Sequence, residues 1–288
     1  MISRRALLRI SAAFSALLAL VTAPTKGQPG RGPSAEPTLS FDPFHVLAEE
    51  DGLRIGRQDW SLGRERGVAW RVSVPRDAAV SVLTSARVEP FGSLLPSDPG
   101  PWAAINGGFY DRDGQAMGAV IAGGVVHAPY RRGGGSGVVQ VTGNGVEIVH
   151  HSNFQPDAME ALQSIDRIVA RSKPLVNVRP AAPVSARSAI ALTAEEIVLV
   201  LVASERSIAG NGDDVTLGLV SGYGMSLWAF SRYLVTALGA ESALNLDGGV
   251  SAQLAARIDG RKYRVRALRG TVNAVLLRPR TTNVDGRQ

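Results

Sequence analysis

Residues 226–249 read SLWAFSRYLVTALGAESALNLDGG, and three kinds of structure follow one another in them. Leu227, Phe230, Leu234 and Leu238 recur at intervals of three and four, the spacing of a helix, with Ser226 placed to cap its start and Gly239 to stop its end. The stretch after Ala243 then predicts a strand in which Asn245 and Asp247 point to one side and Leu246 to the other. Gly248 and Gly249 close it. Without Cβ atoms, the backbone there can turn sharply and come close to another segment or a ligand.

A second turn of this kind, Asn106-Gly-Gly-Phe-Tyr110, lies about half a chain earlier, behind the apolar residues Ala103 to Ile105. One Gly-Gly pair is an ordinary turn. Two of them, each flanked by Asn, Tyr or Asp, point to a common site.

Further out, short β-type runs fill the first half: Gly67 to Val74, Ala79 to Leu83, Ala119 to His127, Gly137 to Val141 and Val146 to His150. Gly143-Asn144-Gly145 between the last two predicts a hairpin. Ile165 to Ala170, Ser188 to Leu192 and Ile197 to Val202 read as buried strands, the last continuous enough for a central position, and Thr271 to Leu277 as a final strand. The fold class expected is α+β, one domain with a mixed, β-rich core and a few packed helices.

The ends read differently. Ser3-Arg4-Arg5-Ala6-Leu7-Leu8-Arg9 resembles a twin-arginine export motif, and Ile10 to Val21 behind it is too short and too rich in Ala and Ser for a permanent span. Residues 1–23 are therefore expected to be an export signal, which places the mature protein in the periplasm or outside the cell with no stable membrane span. Residues 24–43, rich in Pro, Gly, Ser and Thr, read as a flexible linker, 44–280 as the folded domain and 281–288 as a disordered tail.

Composition narrows the chemistry. The 288 residues are 45% apolar and contain no cysteine, which excludes disulfides, thiolate metal sites and a cysteine nucleophile. The net charge of +6 is mild, and the one basic cluster, Arg257, Arg261, Lys262, Arg264, Arg266 and Arg269, surrounds a single Tyr263. That pattern fits a solvated hairpin or strand edge, with contact to an anionic polymer as the lesser alternative, better than a nucleic-acid groove. No Gly-x-Ser-x-Gly elbow, Walker loop or complete dinucleotide fingerprint occurs, and Gly210-Asn211-Gly212-Asp213-Asp214 lacks calcium-loop spacing. The four histidines are His45, His127, His150 and His151. On a strand the adjacent pair would face opposite ways, so no histidine metal site is expected. Asp111, Asp113 and Asp247 could hold a divalent cation through oxygen, but three acids do not establish a site, and no cofactor is expected. Turn capping is the plainer role for Asp113.

Asn106-Gly-Gly-Phe-Tyr-Asp111 with Gly114 and Gly118, Ala186-Arg-Ser-Ala-Ile190, Gly224-Met-Ser-Leu227, Gly239-Ala240 and Ala243-Leu-Asn-Leu-Asp-Gly-Gly249 together resemble the ordered motifs of the phosphodiester glycosidase family, over about residues 68–278. The resemblance implies a single α+β domain that hydrolyses a sugar-1-phosphodiester. The chain departs from the family pattern at Trp228-Ala229, where an acid is usual, at Val250-Ser251-Ala252, at Ala186-Arg187-Ser188, and near Ser204-Glu205-Arg206.

The chemistry agrees with that implication. Breaking the sugar C1–O bond releases a phosphate monoester whose second pKa is about 6, so the leaving group needs little protonation and one carboxylate with one cation can suffice. The catalytic candidates are Asp247 as nucleophile or general base, Arg187 as a bidentate phosphate clamp and Asp111 as second carboxylate. Asn106 and Asn245 are expected to bind sugar hydroxyls, and Gly107, Gly108, Gly248 and Gly249 to offer backbone N–H groups to phosphate. Tyr110, Ser188 and Ser251 complete the expected binding set. The partner is a glycosyl phosphodiester or anionic polysaccharide and no nucleic acid. Two other classes remain open, a noncatalytic anionic-glycan-binding or exopolysaccharide assembly protein and a phosphodiesterase that cuts P–O.

Overall fold

The computed structural model describes residues 38–177, 184–204 and 213–280. Among these, three sheets and two α-helices form a β-rich domain.

The largest sheet has nine strands, antiparallel at every pairing. Its middle runs Glu65–Pro75, Glu196–Ser204, Arg187–Leu192, Ser242–Asn245 and Asp166–Ala170. The apolar run Ile197 to Val202 is buried on both faces there, as a continuous hydrophobic segment requires. A six-stranded sheet is ordered Asp214–Leu219, Arg261–Arg266, Leu254–Ile258, Trp102–Asn106, Thr271–Arg278 and Ala79–Glu89, and a five-stranded sheet joins Gly137–Thr142, Gly145–His150, Glu160–Ser164, Val120–Ala122 and Val125–Ala128.

Period-two alternation decides where the core sits. Ile190, Leu192, Leu244 and Leu246 on one face of the large sheet meet Ile105, Leu254 and Val275 of the six-stranded sheet and Val139 and Leu162 of the five-stranded one. Ala189, Ala191 and Ala243 on the opposite face receive Phe230, Tyr233 and Leu234 of the helix Leu227–Thr236. The small alanines let the helix approach closely. Each large side chain buried in this way contributes about 1.5–3 kcal/mol. The helix is built as its sequence predicts: Ser226 accepts from the Ala229 amide at 3.2 Å, and Gly239 takes φ +68° just beyond the end.

Four expectations change. Leu39–Phe41 pairs with Leu53–Leu62, so the folded domain begins inside the stretch whose composition reads as linker. The run Ala119 to His127 is two strands folded back through Gly123 and Gly124, both at positive φ. The ten-residue strand Leu53–Leu62 and the strand Glu160–Ser164 have no counterpart in the sequence reading. His150 ends its strand and His151 begins a 3-10 turn, so the two rings lie 4.3 Å apart instead of on opposite faces. The export signal, the C-terminal tail and Glu205, Arg206 and Gly210 to Gly212 fall outside the described residues. Among the described residues no helix is long and apolar enough to cross a membrane.

Candidate active site

The two glycine turns meet. Asn106 ends the central strand of the six-stranded sheet and is fully buried. Its Nδ2 donates to the Asp247 carbonyl at 2.6 Å, and the Asp247 amide donates to the Gly107 carbonyl at 2.9 Å. Asn106 Oδ1 accepts from Ser188 Oγ at 2.8 Å and from the Gln253 amide at 2.9 Å. One side chain thus ties together the ends of two sheets and both turns.

This tie revises several roles expected from sequence. Asn106 and the fully buried Ser188 satisfy each other and do not line an open surface. The Gly107 amide donates to the Asn273 carbonyl at 2.8 Å, and the Gly108 amide to Asn273 Oδ1 at 2.7 Å. Gly248 donates to Asp247 Oδ1 at 2.9 Å and Gly249 to the Ala186 carbonyl at 2.8 Å. All four glycine amides therefore have protein acceptors and form no phosphate cradle. The glycines are needed for contact instead: a Cβ on Gly107 would lie 2.0 Å from Asn273 Oδ1, and one on Gly248 2.5 Å from the Ala186 carbonyl oxygen. Asp111 is redirected as well. Its Oδ1 accepts from the amides of Asp113 at 3.0 Å and Gln115 at 2.9 Å, so it caps its own loop, and the capping role expected of Asp113 belongs to Asp111.

What the tie holds up is the Asp247 carboxylate. It is half-buried, and burial pushes its pKa above the ordinary carboxylate value. Hydrogen bonds from the Ser251 hydroxyl and the Gly248 amide and the charge of Arg269 pull the other way. Arg269 stands over the Tyr110 ring at 5.5 Å, and the Tyr110 hydroxyl donates to the Gly270 carbonyl at 3.1 Å. Ser251 thus touches the acid, while Tyr110 supports the rim.

Arg187 lies on the strand next to Asp247. The bonds Leu246 N to Ser188 O and Gly249 N to Ala186 O, each 2.8 Å, fall on either side of the pair and place their backbones opposite one another. Arg187 Nε donates to the Met225 carbonyl at 3.1 Å, and burial lowers its pKa while the charge of Asp166 raises it. Asp166 was read from the sequence only as a residue of a buried strand. Register pairs it with Asn245 and Asn245 with Ala189, so Asp166, Asn245 and Arg187 share one face at the end of the large sheet. Burial raises the Asp166 pKa, and Arg187 lowers it. Between them Asn245, 2% exposed, is buried like Asn106 and lines no open surface, so it is not placed to bind sugar hydroxyls as expected; among the described residues its Oδ1 has no hydrogen-bond partner. A lone acid in an apolar run gives little sequence signal; strand register is what identifies Asp166.

The arrangement offers a raised-pKa carboxylate and a guanidinium with an acid companion. Among the described residues no cluster of three or more His, Asp or Glu is positioned to hold a metal ion.

Comparison with known proteins fits this geometry. The family model described as phosphodiester glycosidase matches residues 100–278, a span that includes both turns, Asp166 and Arg187. No curated protein matches in sequence. Among solved structures, the catalytic domain of zebrafish N-acetylglucosamine-1-phosphodiester alpha-N-acetylglucosaminidase, auto-inhibited by its pro-peptide, is similar with TM-score 0.55 and 18% identity over 86% of this chain and 85% of that one. A hypothetical protein from Synechocystis is similar with TM-score 0.55 and 16% identity over 82% of this chain and 64% of that one. At these identities the likeness establishes the fold.

Proposed function

The chain belongs to the phosphodiester glycosidase family and is a hydrolase of the glycosidase type; from that premise we propose that it cleaves the C1–O bond of a sugar-1-phosphodiester, with Asp247 acting at the anomeric carbon. The observation that carries this reading is the placement of Asp247. Two sheets and two turns converge to hold one half-buried carboxylate whose pKa is raised. A carboxylate whose pKa is raised is, once ionised, a stronger base than an exposed one, which suits nucleophilic or general-base work.

As the C1–O bond breaks, its electron pair leaves with the phosphate monoester. Asp247 meets the positive charge growing at C1, either by bonding to C1 as a glycosyl ester that water then hydrolyses to free sugar and carboxylate, or through a water whose proton it takes while the water oxygen bonds to C1. The departing phosphate is stable as an anion, so it needs a cation more than an acid. Arg187 supplies that cation, and Asp166 keeps its fork turned toward the site. Ser251 keeps the Asp247 carboxylate in place.

The zebrafish protein is named for N-acetylglucosamine-1-phosphodiester. The bond type, and not that sugar, is what we extend to this chain. The twin-arginine-like motif Ser3 to Arg9 supports the further reading that the substrate belongs to a cell-envelope or extracellular polysaccharide. The test is a panel of glycosyl-1-phosphate methyl diesters assayed for free sugar, with and without chelator and with Asp247→Asn as the blank. Release of one sugar by the native protein alone supports the reading, and no release from any member of a broad panel contradicts it.

A further inference from the structure

A cavity of about 430 Å³ opens beside this site. Its wall includes Arg264, Arg266 and Arg269, with Phe91 and Leu95 contributing apolar surface and Gln253 a polar side. Two of these residues connect it to the chemistry. Arg269 is the cation whose charge acts on Asp247, and the Gln253 amide donates to Asn106 Oδ1 at 2.9 Å.

The charges in the cavity do not balance. Arg264 and Arg266 share a single carboxylate, Asp214, at 3.2 and 3.5 Å. The Arg264 contact is poorly aligned, leaving its buried Nε without a hydrogen bond. Glu89, the one acid on the wall among the described residues, is taken up by Arg87 at 3.0 Å. Two arginines on one aspartate, with Arg269 beyond them, leave an excess of positive charge lining a concave, partly apolar space. From sequence this basic run is expected to be a solvated hairpin or strand edge, with contact to an anionic polymer as the lesser alternative. The hairpin exists, as Leu254–Ile258 paired with Arg261–Arg266, but Arg264 and Arg266 of its second strand and Arg269 just beyond it face a cavity.

We propose that this cavity binds a charged sugar, bearing a carboxylate or a phosphate, that belongs to the same chain as the scissile diester. The substrate is then an anionic polysaccharide and not a small neutral glycosyl phosphodiester. Planar guanidinium groups meet carboxylate and phosphate oxygens in pairs, while the apolar wall takes the C–H face of the ring. The volume fits one or two sugar residues. The proposal rests on the reading that Asp247 acts at C1, because that reading makes the neighbouring cavity a subsite.

Titration calorimetry at low salt tests it without requiring turnover. The probes are galacturonate trisaccharide, glucose 6-phosphate and neutral maltotriose. The native protein should bind at least one charged probe about tenfold more tightly than maltotriose, with the two charged probes separating carboxylate from phosphate recognition. Arg266→Gln should weaken that binding about fivefold or more, Arg266→Lys should recover only part of it because the charge returns without the fork, and added salt should weaken the charged probe only. Equal binding of charged and neutral probes, or charged binding indifferent to Arg266→Gln, overturns the proposal. Failure of the parent reading looks different: charged sugars would bind in this way while no glycosyl phosphodiester is turned over.

Discussion

Asn106 and Asp247, 141 residues apart, hold each other's turns in place: Asn106 Nδ2 donates to the Asp247 carbonyl at 2.6 Å, and the Asp247 amide donates to the carbonyl of Gly107 at 2.9 Å. The bonds use backbone atoms of Asp247 and leave its carboxylate for chemistry. Structural and chemical roles therefore fall on different residues of one motif, and substitutions should separate them.

Asn106→Ala should cost stability. It strips Asp247 O, Ser188 Oγ and the Gln253 amide of a buried partner at once. Leaving such groups unsatisfied costs about 1–3 kcal/mol each, so a loss of roughly 3 kcal/mol or more is expected in chemical denaturation. A change within experimental error would mean that water replaces the side chain and that the tie is dispensable.

Asp247→Asn should separate activity from stability. Turnover should fall by about a thousandfold or more, the scale on which an essential nucleophile or base acts. The folded protein should be as stable as the native one at neutral pH or slightly more so. Burial raises the Asp247 pKa above its unfolded value, so the folded state binds the proton more tightly. The native protein therefore loses stability as pH rises from the ordinary carboxylate value through the raised one, a loss that asparagine escapes. Melting curves from pH 3 to 8 should show the advantage of Asp247→Asn growing with pH. An advantage confined to acid pH would contradict the burial argument.

The same ionisation should set the acid limb of activity. Asp247 must be charged to act, so kcat/KM should fall as pH drops through a value above the ordinary 3.8. An inflection at or below that value would assign the limb to another group.

Arg187→Lys keeps the charge and loses the fork. A fall of about tenfold to a hundredfold in kcat/KM is expected, together with a smaller fall for Asp166→Asn, which leaves Arg187 in place without its companion. Because the two act together, the double variant should lose less than the product of the single losses. Independent effects would mean that Asp166 does not position Arg187.

Much of this arrangement was legible in the sequence. The helix from Leu227, its serine cap and its glycine stop rest on local periodicity, and the meeting of the two turns on their shared composition. The long strand Leu53–Leu62 is hidden because its buried side changes part way, Leu53 and Ile55 facing one core and Trp60 and Leu62 the other, so that no single alternation runs through it. The use of the glycine amides was hidden for another reason. Glycine advertises a backbone free to come close, but its acceptor, Asn273, lies 165 residues from Gly108 and only the fold supplies it. Asp166 is visible only once register sets it beside Asn245.

The central claim is that the sugar–oxygen bond, and not the phosphorus–oxygen bond, is the one broken. Hydrolysis of an accepted glycosyl phosphodiester in ¹⁸O-labelled water, followed by mass spectrometry of both products, decides it. The account predicts label on the anomeric oxygen of the released sugar and none in the phosphate monoester; label in the phosphate would contradict it.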